Sequence, residues 1–355
     1  MHARTVRASL AVYGLLHFLI DAIGAATVFA ILERDGRSPG TPLLLAYGLI
    51  SFASRPLLGL LVDARDSARH AAMAGSALVA CGSVLFAGRP FEAVVALGIG
   101  NALFHVGAGS ISFRLMPGRA GPSGLFAAPG ALGVFAGTTL GSHALTHSWI
   151  GGSALLVLAA VSSTLSEPPR DVDSSNVDAR DTDAPVLFVL LSIALVSFAG
   201  FALRFPWQST PSLAIVVVTG VAIGRAAGGV LADTFGWRLI ALGGLLAAIP
   251  LLMSGATHVI LGVFGAVLLN LAIPVASTVT FNRLRAHPAF AFGLVSLALI
   301  AGGLPALVGA SASTLPRNSG LLALPLACGA LYFGFRRASL LTTAALRRVQ
   351  IASPT

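Results

Sequence analysis

The sequence predicts an all-α integral membrane protein with twelve transmembrane helices arranged as two pseudo-symmetric six-helix halves. Three observations carry this. Of the 355 residues, 56% are hydrophobic and only 10% are charged, with a mean hydropathy of +0.89; that is too little polar surface for a soluble globule. Apolar segments of about the 20 residues needed to cross a bilayer recur near 10–32, 41–62, 71–88, 92–113, 123–144, 148–165, 185–203, 210–232, 239–256, 258–281, 291–313 and 319–335. Finally, Gly224–Arg238, GRAAGGVLADTFGWR, has a weaker twin 170 positions earlier in Ser54–Asp63, SRPLLGLLVD. A repeat of this length divides a chain into similar halves.

The twins align Arg55 with Arg225, Gly59 with Gly229, Leu61 with Leu231 and Asp63 with Asp233. At an offset of 169 the register continues: Asn101 falls on Asn270, Arg114 on Arg283 and Gly124-Leu125 on Gly293-Leu294. The segments are long and rich in Leu, Ala and Gly. This suits helices better than barrel strands, which alternate over roughly ten residues. The 40 glycines fit helices that pack closely where no hydrophobic effect drives association.

The net charge of +9 does not indicate nucleic acid. All 22 basic residues are arginine, and fifteen fall in alternate loops or ends against five in the others. Under the positive-inside rule this places both termini in the cytoplasm. The chain has no lysine, so it has no Walker A motif and cannot drive transport with ATP by itself. Cys81 and Cys328 fall within spans 3 and 12 as buried free thiols, without a disulfide framework or metal spacing. The N-terminus resembles the start of a signal peptide, but the apolar segment is long and contains Asp21, as an uncleaved first span does.

Three regions follow. Residues 1–165 form an N-terminal six-helix bundle, and residues 185–355 form a C-terminal bundle with a basic cytoplasmic tail near anionic lipid. Between them, 166–184, SEPPRDVDSSNVDARDTDA, has six acids and two arginines without apolar periodicity, the composition of a disordered cytoplasmic linker.

Polar residues inside the spans are the candidates for chemistry. His17 and Asp21 lie one helical turn apart in span 1, and Asn101 and His105 are four apart in span 4. The matching second-half positions are Leu187, Leu191 and Pro274, so the scaffold is duplicated but the polar centre is not. Asp21 is the only acid away from the ends of a predicted span. An ionisable group at that depth costs roughly 2.5–3.5 kcal/mol on insertion scales and faces a cavity or a partner. His17 and Asp21 can exchange protons near physiological pH; they can equally form a neutral pair that locks span 1 to a neighbour. His143 and His147 lie near the outer ends of spans 5 and 6. Span 5 carries Pro129 with Gly130, Gly133, Gly137 and Gly141, a spacing for tight helix packing.

Gly229-x-x-x-Asp233-x-x-Gly236-x-Arg238 resembles the loop signature of the major facilitator superfamily of transporters; the first copy has Ala64, Asp66 and Ser67 where that family has Arg, Gly and Arg. The resemblance implies that His17, Asp21, Asn101 and His105 meet at the midplane, with Asn101 and Asn270 in the substrate cavity. Arg55, Gly59, Asp63, Arg225, Gly229, Asp233, Gly236 and Arg238, with Arg114 and Arg283 nearby, are then expected to form a cytoplasmic gate in which carboxylate and guanidinium groups clasp and part. HFLIDA in span 1, GIGNALFHVGAG in span 4 and GLFAAPGALGVFAGTTLG in span 5 resemble the fosmidomycin-resistance type of facilitator, bacterial drug exporters driven by protons. That likeness implies proton-coupled efflux of a small molecule by alternating access, in the cytoplasmic membrane and as a monomer, with Asp21, His17 and His105 as the proton-coupling residues and no cofactor or metal. Two alternatives stay open: a membrane-embedded enzyme using His17, Asp21 and His105, or a degenerate transporter acting as a sensor or assembly partner.

Overall fold

The computed structural model describes residues 3–36, 42–141, 148–170, 179–308 and 317–352. Among the described residues, every predicted span contains a helix. The first half comprises α1 (Ala3–Arg34), α2 (Pro42–Arg65), α3 (Ala68–Leu85), α4 (Pro90–Leu115), α5 (Gly121–Gly141) and α6 (Ser148–Ser163). The second comprises α7 (Ala179–Ala202), α8 (Pro211–Phe235), α9 (Trp237–Ser254), α10 (Val259–Arg283), α11 (Pro288–Leu307) and α12 (Arg317–Ala352). Among the described residues, ten helices are long and apolar enough to cross a membrane; α6 is a shorter apolar helix, and α3 opens on Arg69 and His70. This is a multi-pass membrane protein. Large apolar side chains such as Leu57, Phe91, Ile260 and Leu322 are about two-thirds exposed, outward where lipid tails would cover them.

Two helices are interrupted, each beside a polar residue. A π turn at Leu49–Ala53 breaks α2 just before Arg55, and such turns concentrate at functional positions. In α10 the ladder breaks at Leu271 because Pro274 has no N–H to give the carbonyl of Asn270. Asn270 then turns its own amide back to the Ala266 carbonyl at 2.9 Å.

Each half has its own apolar core. One is built around Leu16, Ile20, Leu97, Phe104 and Phe126, the other around Ile193, Leu245, Leu252 and Leu324. Each core also borrows a residue across the divide: Ala289 joins the first and Ala120 the second. The halves meet chiefly where α2 packs on α11 and α5 on α8.

Those seams explain the paired glycines of the repeat. A Cβ on Gly59 would lie 2.5 Å from the Ala289 carbonyl oxygen, and one on Gly229 would strike the Ala120 carbonyl. Backbone cannot yield as a flexible side chain can. Gly59→Ala and Gly229→Ala are each expected to destabilise the protein by about 1–3 kcal/mol, the usual cost of overpacking, and to lower its melting temperature in detergent. Gly88→Ala, which meets nothing within 4 Å, serves as the neutral control.

The remaining differences from expectation are local. Cys328 is buried as predicted, but Cys81 is exposed on the apolar outer surface of α3. The linker is ordered at its start: residues 166–170 are described and docked, and helix resumes at Ala179 rather than 185. Helix α12 continues past Arg336 to Ala352, through the basic tail. His143 and His147 lie outside the described residues.

Candidate functional site

A polar cluster lies at mid-depth in the first half, built from α1, α2 and α4. His17 Nε2 is 3.1 Å from Asp21 Oδ2, as the one-turn spacing on α1 allows. Asn101 donates from Nδ2 to Asp21 Oδ1 at 3.0 Å, and His105 Nε2 stands 3.0 Å from His17 Nε2. The structure therefore brings together all four residues expected at the midplane. His17, Asn101 and His105 are buried, and Asp21 keeps 13% of its side chain exposed.

The backbone assigns the protons. His17 Nδ1 meets the Phe126 carbonyl at 2.7 Å and His105 Nδ1 meets the Asn101 carbonyl at 2.8 Å. A carbonyl can only accept, so each Nδ1 carries hydrogen. Two neutral imidazoles would then aim lone pairs at each other across 3.0 Å. One proton on His17 Nε2, shared between Asp21 Oδ2 and His105 Nε2, resolves the conflict. The cluster then joins two imidazoles and one carboxylate through a single chain of hydrogen bonds.

Gly130 makes this possible. A Cβ there would collide with the His17 imidazole, so glycine lets the ring slide against α5 and reach the Phe126 carbonyl one turn below. The three ligand atoms of His17, Asp21 and His105 lie within 4.8 Å of one another, compact enough for a metal ion. The 3.0 Å nitrogen separation is an ordinary N–H···N hydrogen-bond length and suits the proton.

Arg55 is the residue that sequence reasoning misplaced. It does not clasp Asp63 at the inner end of α2; it is 3% exposed and points into the centre. It donates from Nη2 to Asn101 Oδ1 at 2.7 Å and from Nη1 to Ser296 Oγ on α11 at 2.9 Å, with its guanidinium 4.1 Å over the Phe52 ring. Arg225, its repeat partner, also leaves the gate and reaches toward the Ala127 carbonyl on α5 at 3.5 Å. The signal was present in the sequence, since these are the two arginines that belong to neither set of loops. Asn270 stays bonded to its own helix, apart from the cluster. Ser296 and Phe52 had no distinguishing signal.

At the end of the bundle where α1 begins, two carboxylates close the seams, through backbone rather than arginine. Asp63 accepts the N–H groups of Ala289 and Phe290, at 3.1 and 2.9 Å, at the start of α11. Asp233 accepts those of Ala120 and Gly121, both at 2.8 Å, at the start of α5. Each acid sits where the first-turn N–H groups and the helix dipole favour a negative charge. At the offset of 169, 289 and 290 fall on 120 and 121, so the two latches are copies.

The turns beside them both carry a positive φ but differ in ψ, which is +137° at Gly236 and +48° at Asp66. Gly236 has φ +101°, and Asp66 at the equivalent position has φ +46°, a left-handed conformation that aspartate tolerates better than most residues. The first copy thus keeps a positive φ at this position although its sequence is altered. Gly236 and Arg238 flank the second turn, and Arg238 Nη2 reaches the Phe335 carbonyl at 3.4 Å. Arg283 lies partly exposed at the end of α10.

The docked start of the linker straps this face. Arg114 donates to Glu167 Oε1 at 2.7 Å and to the Pro168 carbonyl at 3.0 Å, while Arg69 holds the Leu165 carbonyl at 2.8 Å. Arg170 then bridges the halves, donating to the carbonyls of Asp63 and Ala286. Arg170→Ala is expected to raise the inward-open fraction about tenfold, the equivalent of one charge-assisted hydrogen bond; faster alkylation of a cysteine introduced at Ala286 would register it.

No protein-family model and no curated protein matches the sequence. Solved structures do match. The E. coli fucose:proton symporter aligns with a TM-score of 0.70 at 14% identity, covering 93% of this chain and 99% of the symporter. The fold is that of the major facilitator transporters. The human organic anion transporter MFSD10 gives 0.63 at 17% identity over 91% of this chain and 99% of its own. A bacterial homologue of the human lysosomal transporter Spinster, inward-facing, gives 0.52 at 16% identity over 96% and 98%. Within the facilitator fold, α1 and α4 are the first and fourth helices of their half and hold the polar cluster, while α2, α5, α8 and α11 hold the seams.

Proposed function

We propose that the chain is a proton-coupled secondary transporter that exports a small molecule across a bacterial cytoplasmic membrane by alternating access, as a monomer with both termini inside. The carrying observation is the coexistence of a one-proton cluster at mid-depth with copied latches at the inner face. The first supplies a coupling ion site and the second a reversible closure. His17, Asp21 and His105 hold the proton; Arg55 and Asn101 connect it to α11 through Ser296. The groups whose charge acts on Asp21 are His17, His105, Arg55 and Arg225, with Tyr47 alongside. The linker 166–184 tethers the halves and fastens the closed face through Arg170.

Efflux, rather than uptake, is supported by the likeness of spans 1, 4 and 5 to the fosmidomycin-resistance type of exporter. An enzyme reading has no comparable support: the matching structures are transporters. The test compares cells lacking the gene with cells expressing it across a panel of inhibitors, with metabolites assayed inside and outside. The reading requires at least one compound to be depleted from energised cells and to re-accumulate when a protonophore collapses the pH gradient. A distribution that ignores the protonophore would overturn the proton coupling, and one that never depends on the gene would overturn the transporter.

A further inference from the structure

Arg55 is a buried cation and Arg225 a half-buried one, and neither has a buried counter-charge to match. Neither has a carboxylate within ion-pair distance among the described residues, and the Nε of each is buried and unpartnered. Asp21 is the one acid whose charge acts on both, and the cluster proton on His17 already faces it at 3.1 Å. The centre therefore carries surplus positive charge, and desolvating a charge without a partner is costly. The two side chains are also placed by the repeat: Arg55 reaches position 296 on α11 and Arg225 reaches position 127 on α5, which are equivalent at the offset of 169. They approach the centre from opposite halves, and both heads border the proton cluster, Arg55 through Asn101 and Arg225 through the carbonyl next to Phe126. Around them the walls are aromatic: Phe52 under Arg55, with Phe104, Phe126 and Phe292 against the histidines.

We propose that Arg55 and Arg225 are the two arms of a binding site for a small organic anion with an apolar body, the anionic head lying between the guanidinium groups and the body against the phenylalanines. As a statement about cargo it rests on the transport reading above. Guanidinium groups suit this task because they stay charged and present several donors in a fixed plane. Arg55 spends two donors on Ser296 and Asn101, and Arg225 spends one weakly, so donors remain for the head group on both sides.

The experiment measures equilibrium binding of radiolabelled benzoate to the full-length protein in lipid nanodiscs, with benzamide and benzylamine as competitors of the same shape and different charge. Saturable benzoate binding in the millimolar range or tighter is expected, displaced by unlabelled benzoate and not by benzylamine. Arg225→Gln, the less enmeshed arm, is expected to weaken it about tenfold or more, and Arg225→Lys to restore part of the loss; Arg55→Gln should do the same if it elutes as folded protein. Equal competition by benzylamine or benzamide, absence of saturable binding, or unchanged affinity in Arg225→Gln would each overturn the site. Anion binding without any gene-dependent distribution in cells would keep the site and sink the transport reading. Gene-dependent movement of an amine or neutral compound alone would do the reverse.

Discussion

Asp21→Asn is expected to abolish transport driven by a pH gradient while leaving a folded protein that still exchanges its substrate at equilibrium. The substitution keeps shape and one contact, since an asparagine oxygen can still accept from Asn101 Nδ2. It places an NH2 donor, however, where His17 Nε2–H needs an acceptor. His17 then has to give up its Nε2 proton and accept instead. The shared proton has no seat, and without it the substrate cycle cannot draw on the gradient. A loss of about a hundredfold or more in gradient-driven flux is expected, the scale on which removal of a positioned proton acceptor acts. Reconstituted protein, assayed for uphill movement and for counterflow in the same vesicles, separates the two outcomes. Undiminished uphill movement by Asp21→Asn would remove the cluster from the coupling mechanism.

The second large effect concerns the latches. Asp63→Ala deletes a carboxylate that accepts two N–H groups at the start of α11, and Asp233→Ala does the same at α5. Hydrogen bonds to a charged group contribute about 1.5–3 kcal/mol, so each variant is expected to move the inner side toward opening by about 2 kcal/mol, some thirtyfold in population. The double variant should lie mainly open. Spin labels at Arg119, in the loop before α5, and at Thr234, near the end of α8, both exposed, would read a longer and broader distance in a background freed of Cys81 and Cys328. A distance distribution identical to the parent's would show that other contacts hold this face closed.

The twelve helices and the division into halves were legible because apolar length and an internal repeat are properties of the chain itself. His17 and Asp21 were legible as a pair because four residues make one helical turn. Their union with Asn101 and His105 rested on a family resemblance, and the geometry supports it. Arg55 and Arg225 were not placed correctly. Arginine beside an aspartate eight residues on suggests a clasp, but a helix turns between them, and the π turn before Arg55 helps to aim it inward. The latch partners were illegible for a different reason: Asp63 and Asp233 bind backbone N–H groups, which every residue except proline carries and no sequence pattern advertises. The docking of Glu167 and Arg170 was hidden likewise, because a polar, aperiodic segment looks the same whether it is solvated or strapped to a surface.

The crossed latches also bear on ancestry. Position 63 holds 289 and 290, while 233 holds 120 and 121; 55 reaches 296, while 225 reaches 127. A contact in which i touches j and j touches i is the signature of an isologous homodimer. Two separate copies of a single half-length chain would form every one of these seams by symmetry alone. What such a dimer could not have is a lopsided centre, with His17, Asp21 and His105 facing Leu187, Leu191 and Pro274. A single chain is what allows the two halves to differ in their ionisable groups, so that a symmetric closure can serve an asymmetric load.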